Sequence, residues 1–474
     1  MIKLTLAEVV QAMAGRPLGQ PSTVSVNRVS TDSRTTAAGD LFLALRGPHF
    51  DGHNFVPEAL RRGAVAAVVE SARTQTVVQA VHAAGVPLPN TAVLVEVDDT
   101  LGALGRLAAY HRQQMAGEVI AVVGSNGKTT TKAMIHHVLA GRLRGRCSPK
   151  SFNNAVGVPL TLLSAEQGDE YLVVEMGTNA PGEVAALAEI AQPDMAVITS
   201  IGEEHLEGLG DVDGVAAEEC SILGKLRGKG FAAINIDAPE IQQHLPAGGP
   251  HRATFGWNPQ ADVRLTEARH DGGWLHFRVN ERFPFRLRLV GNHNAVNAAG
   301  AVTIARRLGL DYDEAAVRLE SFVLPPMRTE VVEVDGVTIV NDAYNANPQS
   351  AAAAIDTLEQ MPCRGRRIAV FGEMRELGRH SVELHRKVAG RLRAGNTIAH
   401  VLLVGDATGP MYEALTDGGL FGPTVERCGT VEDCLERLAG SVRPGDVVLL
   451  KASRAVELDR LVEPLKARLS ALPG

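Results

Sequence analysis

The sequence predicts an α/β protein of three domains with mainly parallel sheets, and three observations support this fold class. Short β-type runs alternate with helical patterns along nearly the whole chain. A glycine-rich turn joins an apolar strand to a helix at residues 118–139. The pair Pro325-Pro326 interrupts the alternation before a third block begins, and consecutive prolines are typical of a linker. A length of 474 residues corresponds to two to four domains at about 100–200 residues each.

The first block, residues 1–112, is predicted to contain short strands, and a helix at about residues 101–116 leads out of it. The first residues are predicted to form a strand and a short helix. A signal peptide is not expected, because no charged stretch precedes a long apolar run. The predicted strands of this block are Val24–Val29, Leu41–Leu45, Ala64–Val69 and Ala92–Val97.

The second block, residues 113–325, and the third block, residues 326–474, continue the alternation of strands and helices. Apolar runs bounded by turns predict parallel strands, whereas residues 260–290 alternate as antiparallel strands do. Residues 408–423 are loop-rich and give no clear indication of a regular element. The predicted strands are Glu118–Val123, Tyr171–Glu175, Met195–Thr199 and Phe231–Asn235 in the second block, and Val337–Asn341, Arg367–Phe371, His400–Val404 and Asp446–Leu450 in the third.

The composition argues against several classes of protein. A formal net charge of −7 argues against a nucleic-acid-binding protein, which would show a basic face. No uninterrupted apolar run approaches the about 18 residues of a membrane span. Five cysteines without a CxxC pair favour a reducing compartment and no zinc site. We therefore expect a cytoplasmic protein, monomeric by default, that acts on small molecules.

The strand–turn–helix segment EVIAVVGSNGKTTTKAMIHHVL predicts a phosphate-binding loop. Backbone N–H groups in such a turn point inward and the helix N-terminus adds positive potential, so phosphate oxygens bind there. Lys128 is expected to reach the β- and γ-phosphates of ATP, and Thr129 is expected to hold Mg²⁺. Because position 122 is valine, the loop has the short GxxGKT form, and a glycine turn without a ligand is the alternative. The predicted ATP contacts in this segment are Gly124, Ser125, Asn126, Gly127, Lys128, Thr129 and Thr130.

Further motifs occur in all three blocks. The second block contains GSNGKTTT, SFNNAVGVPLTLL, VVEMGTNAPGEV, EEHLEGLG and GNHNAVNAAGA. The third contains NDAYNANPQS, FGEMRELG and KASRAVELD, and the first contains STDSRTTAAGDLFLALRG and FDGHNFVPEAL. Over almost the whole chain these motifs resemble those of the Mur ligases, which build the peptide stem of bacterial peptidoglycan. The most discriminating of them, NDAYNANPQS, is similar to the branch of the family that adds D-alanyl-D-alanine.

The resemblance implies an N-terminal UDP-substrate domain, a central P-loop-type ATPase domain and a C-terminal Rossmann-like domain. ATP would phosphorylate the terminal carboxylate of UDP-N-acetylmuramoyl-tripeptide (UDP-MurNAc-tripeptide). The amine of D-alanyl-D-alanine (D-Ala-D-Ala) would then attack the acyl phosphate. The third residue of the tripeptide, meso-diaminopimelate or lysine, stays open. The alternatives are a folylpolyglutamate synthase-like ligase and a nucleotide-binding regulatory protein, and dependence of ADP release on D-Ala-D-Ala would separate the three.

The resemblance also implies residue roles, for which structural explanations compete. A helix-capping role is the alternative for Glu175, and a packing role is the alternative for His205. For Asn292 or Asn294 the alternative is N-capping of a helix. Turn chemistry competes at Asn345–Asn347 and at the Asp32-Ser33-Arg34 segment. The implied catalytic residues are Lys128, Glu175, His205 and Glu219, of which the last three would hold Mg²⁺ with Thr129. Further ATP contacts would be Asn292, His293, Asn294, Asn297, Arg328, Asp342, Tyr344 and Asn345, and substrate contacts would be Ser33, Arg34, Asn153, Asn154, Glu376, His385, Lys451, Ser453 and Arg454.

One position departs from the family pattern. Most members carry a lysine in a segment similar to VAxxKxxI, and its CO₂-derived carbamate helps to hold Mg²⁺. Here the segment is VAAEECSI, and Glu219 occupies the lysine position with a reach shorter by roughly 3–4 Å. We expect Glu219 to supply the metal-binding carboxylate directly, in an activity that does not respond to bicarbonate. A degraded metal site and a surface salt bridge are the alternatives.

Overall fold

The computed structural model describes residues 3–19, 24–86, 93–228, 230–395, 397–417 and 422–470. Each of the three predicted blocks forms its own main sheet, with helices packed against it. The α/β fold class and the order of the three blocks are therefore confirmed.

The first block forms a mainly parallel five-stranded sheet and a separate antiparallel pair of strands, β1 and β3. Its strands are β1 (Leu4–Thr5), β2 (Arg16–Leu18), β3 (Ser25–Val26), β4 (Val29–Ser30), β5 (Leu41–Leu43), β6 (Ala66–Glu70) and β7 (Val93–Val97), and its helices are α1 (Leu6–Ala12), α2 (Val56–Arg61), α3 (Thr74–Ala83) and α4 (Thr100–Gln113). Strands β4 to β7 pair in parallel, and β2 joins β7 antiparallel. The strand predicted at Val24–Val29 is divided, because the chain leaves its pairing with β1 after β3 and pairs with β5 from β4 onward. Ala92 lies outside the described residues.

The second block forms a nine-stranded sheet in the order β16-β15-β14-β13-β12-β11-β8-β10-β9. These strands are β8 (Glu118–Val123), β9 (Gly145–Cys147), β10 (Tyr171–Glu175), β11 (Met195–Ile198), β12 (Phe231–Asn235), β13 (His251–Gly256), β14 (Val263–Asp271), β15 (Trp274–Val279) and β16 (Phe283–Leu287). The helices are α5 (Lys128–Leu139), α6 (Gly157–Leu163), α7 (Glu183–Ala191), α8 (Leu206–Leu209), α9 (Val212–Cys220), α10 (His293–Arg307) and α11 (Tyr312–Glu320). Strands β9 to β14 pair in parallel around β8, and β14 to β16 form the predicted antiparallel meander. Every residue of β10, β11 and β12 is buried, which explains their continuous apolar sequences.

The third block forms a six-stranded sheet in the order β17-β18-β22-β19-β20-β21, parallel except for the hairpin of β17 and β18. Its strands are β17 (Glu330–Val334), β18 (Val337–Asp342), β19 (Arg367–Gly372), β20 (Ile398–Val404), β21 (Thr424–Cys428) and β22 (Val447–Lys451). Its helices are α12 (Pro348–Gln360), α13 (Ser381–Ala394), α14 (Gly409–Thr416), α15 (Val431–Ser441) and α16 (Val462–Leu469).

The loop-rich segment 408–423, which gave no clear indication of a regular element, contains α14 over half of its length. Met411 and Leu415 lie one helical turn apart, and both are buried against the core. The glycines and prolines at the ends of the segment concealed this short apolar pair. Residues 418–421 of the segment lie outside the described part of the chain.

The three blocks share a continuous apolar core. Leu104 of α4 belongs to the same buried cluster as Leu187 of α7 and Leu358 of α12. Helix α4 packs on α6 and α7, so it ties the first sheet to the second. None of the described helices is long and apolar enough to cross a membrane.

A buried arginine reinforces the junction between the first two blocks. Arg112, in the last turn of α4, is fully buried and donates hydrogen bonds to the carbonyls of Ala191 (3.0 Å) and Gln192 (3.1 Å). Its guanidinium also contacts the carboxylate of Asp194 at 2.5 Å. We predict that Arg112→Met lowers the free energy of unfolding by about 3 kcal/mol, because it removes the buried cation paired with Asp194 and the donor to two carbonyls.

Urea unfolding followed by circular dichroism measures this change. Arg468→Met is the control, because Arg468 pairs with Glu436 on the exposed surface and its loss should leave the midpoint unchanged. An Arg112→Met midpoint equal to that of the wild type would contradict the prediction.

Candidate functional site

The predicted phosphate loop lies between β8 and α5, at the carboxyl end of the second sheet. Gly124 (φ +120°) and Gly127 (φ +81°) have backbone conformations that favour glycine. A Cβ atom on Gly124 would lie 2.4 Å from Thr199 Oγ1, so the loop passes too close to the end of β11 to carry a side chain there. The hydroxyl of Ser200 accepts the Asn126 N–H at 2.8 Å. The loop is thus held against the strand beside it.

Helix α10 supports the loop from a second direction. A Cβ atom on Gly127 would lie 2.2 Å from Asn297 Oδ1, and this oxygen accepts the Thr131 hydroxyl at 3.3 Å. Asn297 Nδ2 in turn donates to Asn294 Oδ1 at 3.2 Å. The two asparagines therefore share a buried helix face, as their spacing predicts, and they hold the loop. Asn292 occupies the N-cap position of α10, but its side chain makes no capping hydrogen bond.

Lys128 is the buried cation of the loop. Its ammonium donates to the carbonyl of Gly124 at 2.5 Å and to Glu204 Oε1 at 3.1 Å. Burial acts to lower the pKa of Lys128, but the carboxylates of Glu204, Glu219 and Glu175 outweigh it and raise that pKa. The ammonium is therefore charged, as phosphate binding requires.

Glu175 ends β10 and borders the same space. Its Oε1 accepts the amide of Asn153 at 3.2 Å, and its Oε2 lies 3.1 Å from the ammonium of Lys132. Oε2 is buried and receives no hydrogen bond from the described residues. Helix α7, which follows β10, is capped by Gly182, so Glu175 does not cap it. A buried carboxylate oxygen in this situation is suited to a cation.

His205 contacts the third block. Its Nδ1 lies 2.5 Å from Glu376 Oε2, and the backbone carbonyl of Glu376 accepts the Glu207 N–H at 3.0 Å. His205 (φ +52°) and Glu376 (φ +64°) both adopt the left-handed conformation, which is strained for residues other than glycine and is concentrated at functional sites. Although burial opposes its charge, the hydrogen bond to Glu376 raises the pKa of His205. A packing role alone does not explain this arrangement, because the ring borders the open site.

Arg328 reaches across from the start of the third block. Its Nη2 donates to Thr129 Oγ1 at 2.8 Å, and its guanidinium lies 4.1 Å from the centre of the Tyr344 ring. Its neighbours Met327 (φ +61°) and Thr329 (φ +55°) are both left-handed. For a β-branched threonine this conformation is a genuine outlier. The backbone strain therefore surrounds the residue that brings a second cation to the phosphate loop.

The carboxyl ends of β18 and β22 contribute an ion pair to the site. Asp342 Oδ2 lies 2.6 Å from Lys451 Nζ, which also donates to the carbonyl of Asn345 at 2.8 Å. Asp342 Oδ1 accepts the Thr329 N–H at 3.0 Å. These contacts fix the Asn345–Asn347 turn and the Arg328 segment to the same sheet edge. The Asn345–Asn347 segment therefore forms a turn and also borders the site.

Two predicted substrate contacts instead support the loop that carries Glu376. His385 is fully buried, and its Nε2 accepts the Met374 N–H at 3.2 Å. Burial lowers the pKa of His385, so the neutral ring that this acceptor role requires is favoured. Ser453 Oγ accepts the Arg375 N–H at 2.9 Å. Neither side chain borders the open site, so both act through the loop.

The remaining predicted substrate contacts are dispersed. Asn154 borders the open site, and its Oδ1 accepts the N–H of Gly157, the first residue of α6, at 2.9 Å. Ser33 is buried in the first block, whereas Arg34 is exposed and pairs with Asp32 at 2.8 Å. The hydrogen bond from Arg34 lowers the pKa of Asp32 to about 2. A surface-turn role therefore accounts for the contacts of Asp32 and Arg34, and Arg454 is likewise exposed.

Glu219 does not reach the open site, contrary to the expectation from the sequence. Its side chain is fully buried, and its Oε2 accepts the Gly124 N–H at 2.9 Å. Burial raises the pKa of Glu219 to about 7, against the opposing effect of Lys128. The physical reason for the difference is the short side chain, which ends at the first residue of the loop. Over the described residues, no three His, Cys, Asp or Glu side chains form a ready metal site.

Three residues that the sequence analysis did not name, Gln349, Lys132 and Glu204, contribute to the site, together with Asn347, which was named there only as part of the Asn345–Asn347 turn. Asn347, the N-cap of α12, donates from Nδ2 to Asn126 Oδ1 at 2.9 Å and to Glu204 Oε2 at 3.2 Å. Gln349 Oε1 accepts the Asn126 amide at 2.7 Å. Lys132 lies one helical turn after Lys128, and Glu204 directly precedes His205 in the sequence. Their positions relative to predicted site residues could therefore have identified both.

These side chains enclose one cavity of about 860 Å³ between the carboxyl ends of the second and third sheets. Ligands of α/β proteins bind at this edge of a sheet. The predicted residues that line the cavity are Ser125, Asn126, Gly127, Lys128, Thr129, Thr130, Asn153, Asn154, Glu175, His205, His293, Asn294, Asn297, Arg328, Asp342, Tyr344, Asn345 and Lys451.

Family models match each block of the chain. Residues 25–112 match the Mur ligase family catalytic domain, and residues 122–305 match the Mur ligase middle domain. Residues 327–454 match the glutamate ligase domain of Mur ligases. The three matches follow the order of the three sheets.

Curated relatives and solved structures agree with the domain matches. UDP-N-acetylmuramoyl-tripeptide–D-alanyl-D-alanine ligase of Bacillus subtilis is 34% identical to this chain over 98% of it and 99% of the relative. A crystal structure of MurF from Acinetobacter baumannii has a TM-score of 0.84 at 28% identity, covering 98% of this chain and 99% of that one. MurF ligase from Thermotoga maritima in complex with ADP has a TM-score of 0.79 at 30% identity, covering 94% and 98%.

The close contact between Gly127 and Asn297 makes a testable prediction. A Cβ atom at Gly127 would collide with Asn297 Oδ1 and would strain a left-handed backbone, so Gly127→Ala should displace the loop. We expect it to abolish binding of a fluorescent ATP analogue, measured by anisotropy. Gly182→Ala is the matched control, because Gly182 has φ +88° but no heavy atom within 4 Å of the position that a Cβ atom would take. Equal loss in both variants would trace the effect to backbone strain alone and contradict the role of the collision.

Proposed function

The chain belongs to the Mur ligase family, and from this premise we propose how its residues perform the ligation. It is an ATP-dependent ligase that adds D-Ala-D-Ala to UDP-MurNAc-tripeptide in peptidoglycan precursor synthesis. The observation that carries the mechanism is the single cavity in which Lys128 of the second sheet faces Arg328 of the third. A phosphoryl group held there is accessible to cations from two separate sheets.

The reaction joins two anions before it forms an amide. A terminal carboxylate oxygen of the tripeptide attacks the γ-phosphorus of ATP, the bond to the β-phosphate oxygen breaks, and ADP leaves. The amine of D-Ala-D-Ala then attacks the carbonyl carbon of the acyl phosphate. The carbon–oxygen bond to phosphate breaks, and the amine loses its proton. Positioning and charge stabilisation are the main contributions that a protein makes to such phosphoryl transfer.

We assign the phosphate charges to two cationic side chains. When ATP binds, Lys128 leaves Glu204 and contacts the β- and γ-phosphates. Arg328 leaves Thr129 and contacts the transferred phosphoryl group. The Tyr344 ring beneath the guanidinium limits its orientation. His293, Asp342 and Asn345 line the cavity near these groups and are proposed to contact ATP. Asn294 and Asn297 contribute by holding the loop.

The residues present fit Mg²⁺, which prefers oxygen ligands and usually takes one or two carboxylates together with substrate phosphates. Glu175 Oε2 supports this assignment, because it is buried and, apart from its ion pair with Lys132, has no hydrogen-bond partner among the described residues. We propose that Thr129, Glu175 and His205 hold the ion, with Glu376 orienting His205 through Nδ1. When bound, Mg²⁺ would neutralise charge on the phosphate oxygens.

We propose that residues 1–112 bind the UDP portion of the tripeptide substrate, with Ser33 and Arg34 as candidate contacts. Residues 113–325 would hold ATP and Mg²⁺, with Asn153 and Asn154 beside the acceptor carboxylate. Residues 326–474 would complete the site, and the loop carrying Glu376 would border D-Ala-D-Ala. A cytoplasmic location is proposed because both ATP and the UDP-linked substrate are expected in that compartment. A monomer is proposed as the default state.

Closure of the third block over the second would protect the acyl phosphate from water. The contacts of Asn347 and Gln349 with Asn126 join the start of α12 directly to the phosphate loop. The pair of His205 and Glu376 joins the two blocks at a second point. Two such contacts would hold the cavity closed during the lifetime of the intermediate.

ADP release measured with purified UDP-MurNAc-tripeptide and D-Ala-D-Ala tests the function. We expect release to require ATP, Mg²⁺ and both substrates. Lys128→Met should lower kcat by about 10²–10³-fold, because it removes a cation that stabilises the transition state. Lys225→Met is the control, since Lys225 pairs with Glu189 on the surface, away from the cavity. ADP release that is independent of D-Ala-D-Ala would refute the function.

The sequence at position 219 makes a separate prediction. Because a glutamate replaces the lysine that would carry a carbamate, we expect turnover to be unchanged when bicarbonate is added to a CO₂-depleted assay. The same ADP-release assay measures this response. Stimulation by bicarbonate would reveal a carbamate elsewhere in the site and contradict the prediction.

A further inference from the structure

The position of Glu219 raises the question of which residue supplies the second carboxylate of the proposed Mg²⁺ site. Glu219 meets the phosphate loop at Gly124, directly after β8, and does not border the cavity. Its acceptor role toward a backbone N–H requires an oxygen atom but not a negative charge. A residue of this kind can shape the loop without touching a metal ion.

Glu204 has the properties that Glu219 lacks. It lies between β11 and α8, borders the cavity and is only 6% exposed. Its Oε1 lies 3.1 Å from Lys128 Nζ and 3.8 Å from His205 Nε2. Its Oε2 accepts the amide of Asn347 at 3.2 Å. Glu204 therefore joins the phosphate lysine, a proposed metal ligand and the third block.

The charge balance around Glu204 must change when a nucleotide binds. The present cation partner of Glu204 is Lys128, whose other contacts are loop carbonyls. Once Lys128 turns to the phosphates, Glu204 is left as a buried carboxylate that only the neutral Asn347 amide contacts at hydrogen-bond distance, with His205 Nε2 3.8 Å away. Such a group is costly unless another cation approaches. A divalent ion bound to both the phosphates and Glu204 would meet this requirement.

A second observation independently points to a cation at this position. Glu175 Oε2 borders the same cavity, is buried and receives no hydrogen bond from the described residues. Lys132 Nζ lies 3.1 Å from that oxygen, and a carboxylate oxygen has a second lone pair that a further cation can approach. Two carboxylates beside a phosphate site are a typical protein contribution to Mg²⁺.

We propose that Glu204 supplies the second metal-binding carboxylate beside Glu175, and that Glu219 is a positioning residue that holds Gly124. The inference deepens the proposed function and rests on its use of a Mg²⁺–nucleotide complex. Metal binding and nucleotide binding can each be measured without the ligation, so the two proposals can fail separately.

The test is Mn²⁺ binding to the full-length protein with ADP, followed by electron paramagnetic resonance of free Mn²⁺. We expect Glu204→Gln to weaken Mn²⁺ binding at least about tenfold, because a neutral amide is a poor ligand for a hard divalent ion. In EDTA, the same variant should bind ADP at least as tightly as the wild type, because a negative charge beside the phosphates is lost. A variant that merely misfolded would bind ADP more weakly in EDTA.

Glu219 is tested by two substitutions. Glu219→Gln should bind Mn²⁺ within about twofold of the wild type, because the amide oxygen still accepts the Gly124 N–H. Glu219→Ala should weaken ADP binding both with Mn²⁺ and in EDTA, because it releases the loop. Glu203→Gln is the matched control, since this neighbouring carboxylate pairs with Lys387 and does not line the cavity.

Two results would overturn the assignment. One is wild-type Mn²⁺ affinity in Glu204→Gln, and the other is a large loss of Mn²⁺ affinity in Glu219→Gln. Absence of D-Ala-D-Ala-dependent ADP release in the wild type, with the Mn²⁺ results as expected, would instead refute the proposed ligation and leave the metal assignment standing.

Discussion

The organisation of the site depends on one electrostatic constraint, a lysine cation buried where two sheets end. Lys128 is tolerated there because Glu204 contacts it directly and Glu175 and Glu219 lie close enough to stabilise its charge. A buried ammonium without such partners would lose its proton. The carboxylates in turn need cations, which Lys132 and the proposed Mg²⁺ supply. The charges on these groups therefore depend on one another. The groups lie on or beside the phosphate loop, at the end of β10, after β11 and beside the N-cap of α12.

This constraint explains why the site spans two sheets. A phosphoryl group between two anionic substrates needs more positive charge than one loop provides, and Arg328, which contacts Thr129 from the third block, is proposed to add it. The same block contributes Asn347 to the loop and Glu376 to His205. Catalytic competence therefore depends on the relative position of the two blocks as well as on the loop itself.

The sequence predicted the fold and the phosphate loop because both rest on local patterns. The buried strands β8, β10 and β12 occur at the predicted residues, since continuous apolar runs bounded by turns specify them. Helix α14 was missed because its apolar face is only two residues long.

The site was harder to predict where it depended on distances between elements. Nothing in the segment around Glu219 reveals that its carboxylate ends at a backbone N–H of the loop. The contacts of His385 and Ser453 with the Glu376 loop are likewise tertiary, so their motif suggested direct substrate contact.

The left-handed residues on either side of Arg328 have a mechanical consequence. They lie in the short segment between α11 and β17, where the chain passes from the second block to the third, so a rotation of one block relative to the other would act on this segment. A rotation that relaxed Met327 and Thr329 would also withdraw the guanidinium between them from Thr129. The segment that would bend, Met327–Thr329, then also contains the cation that contacts the phosphate loop. Opening to release product would switch off phosphoryl transfer without a separate gate, and the energy stored in the bent backbone would favour that opening.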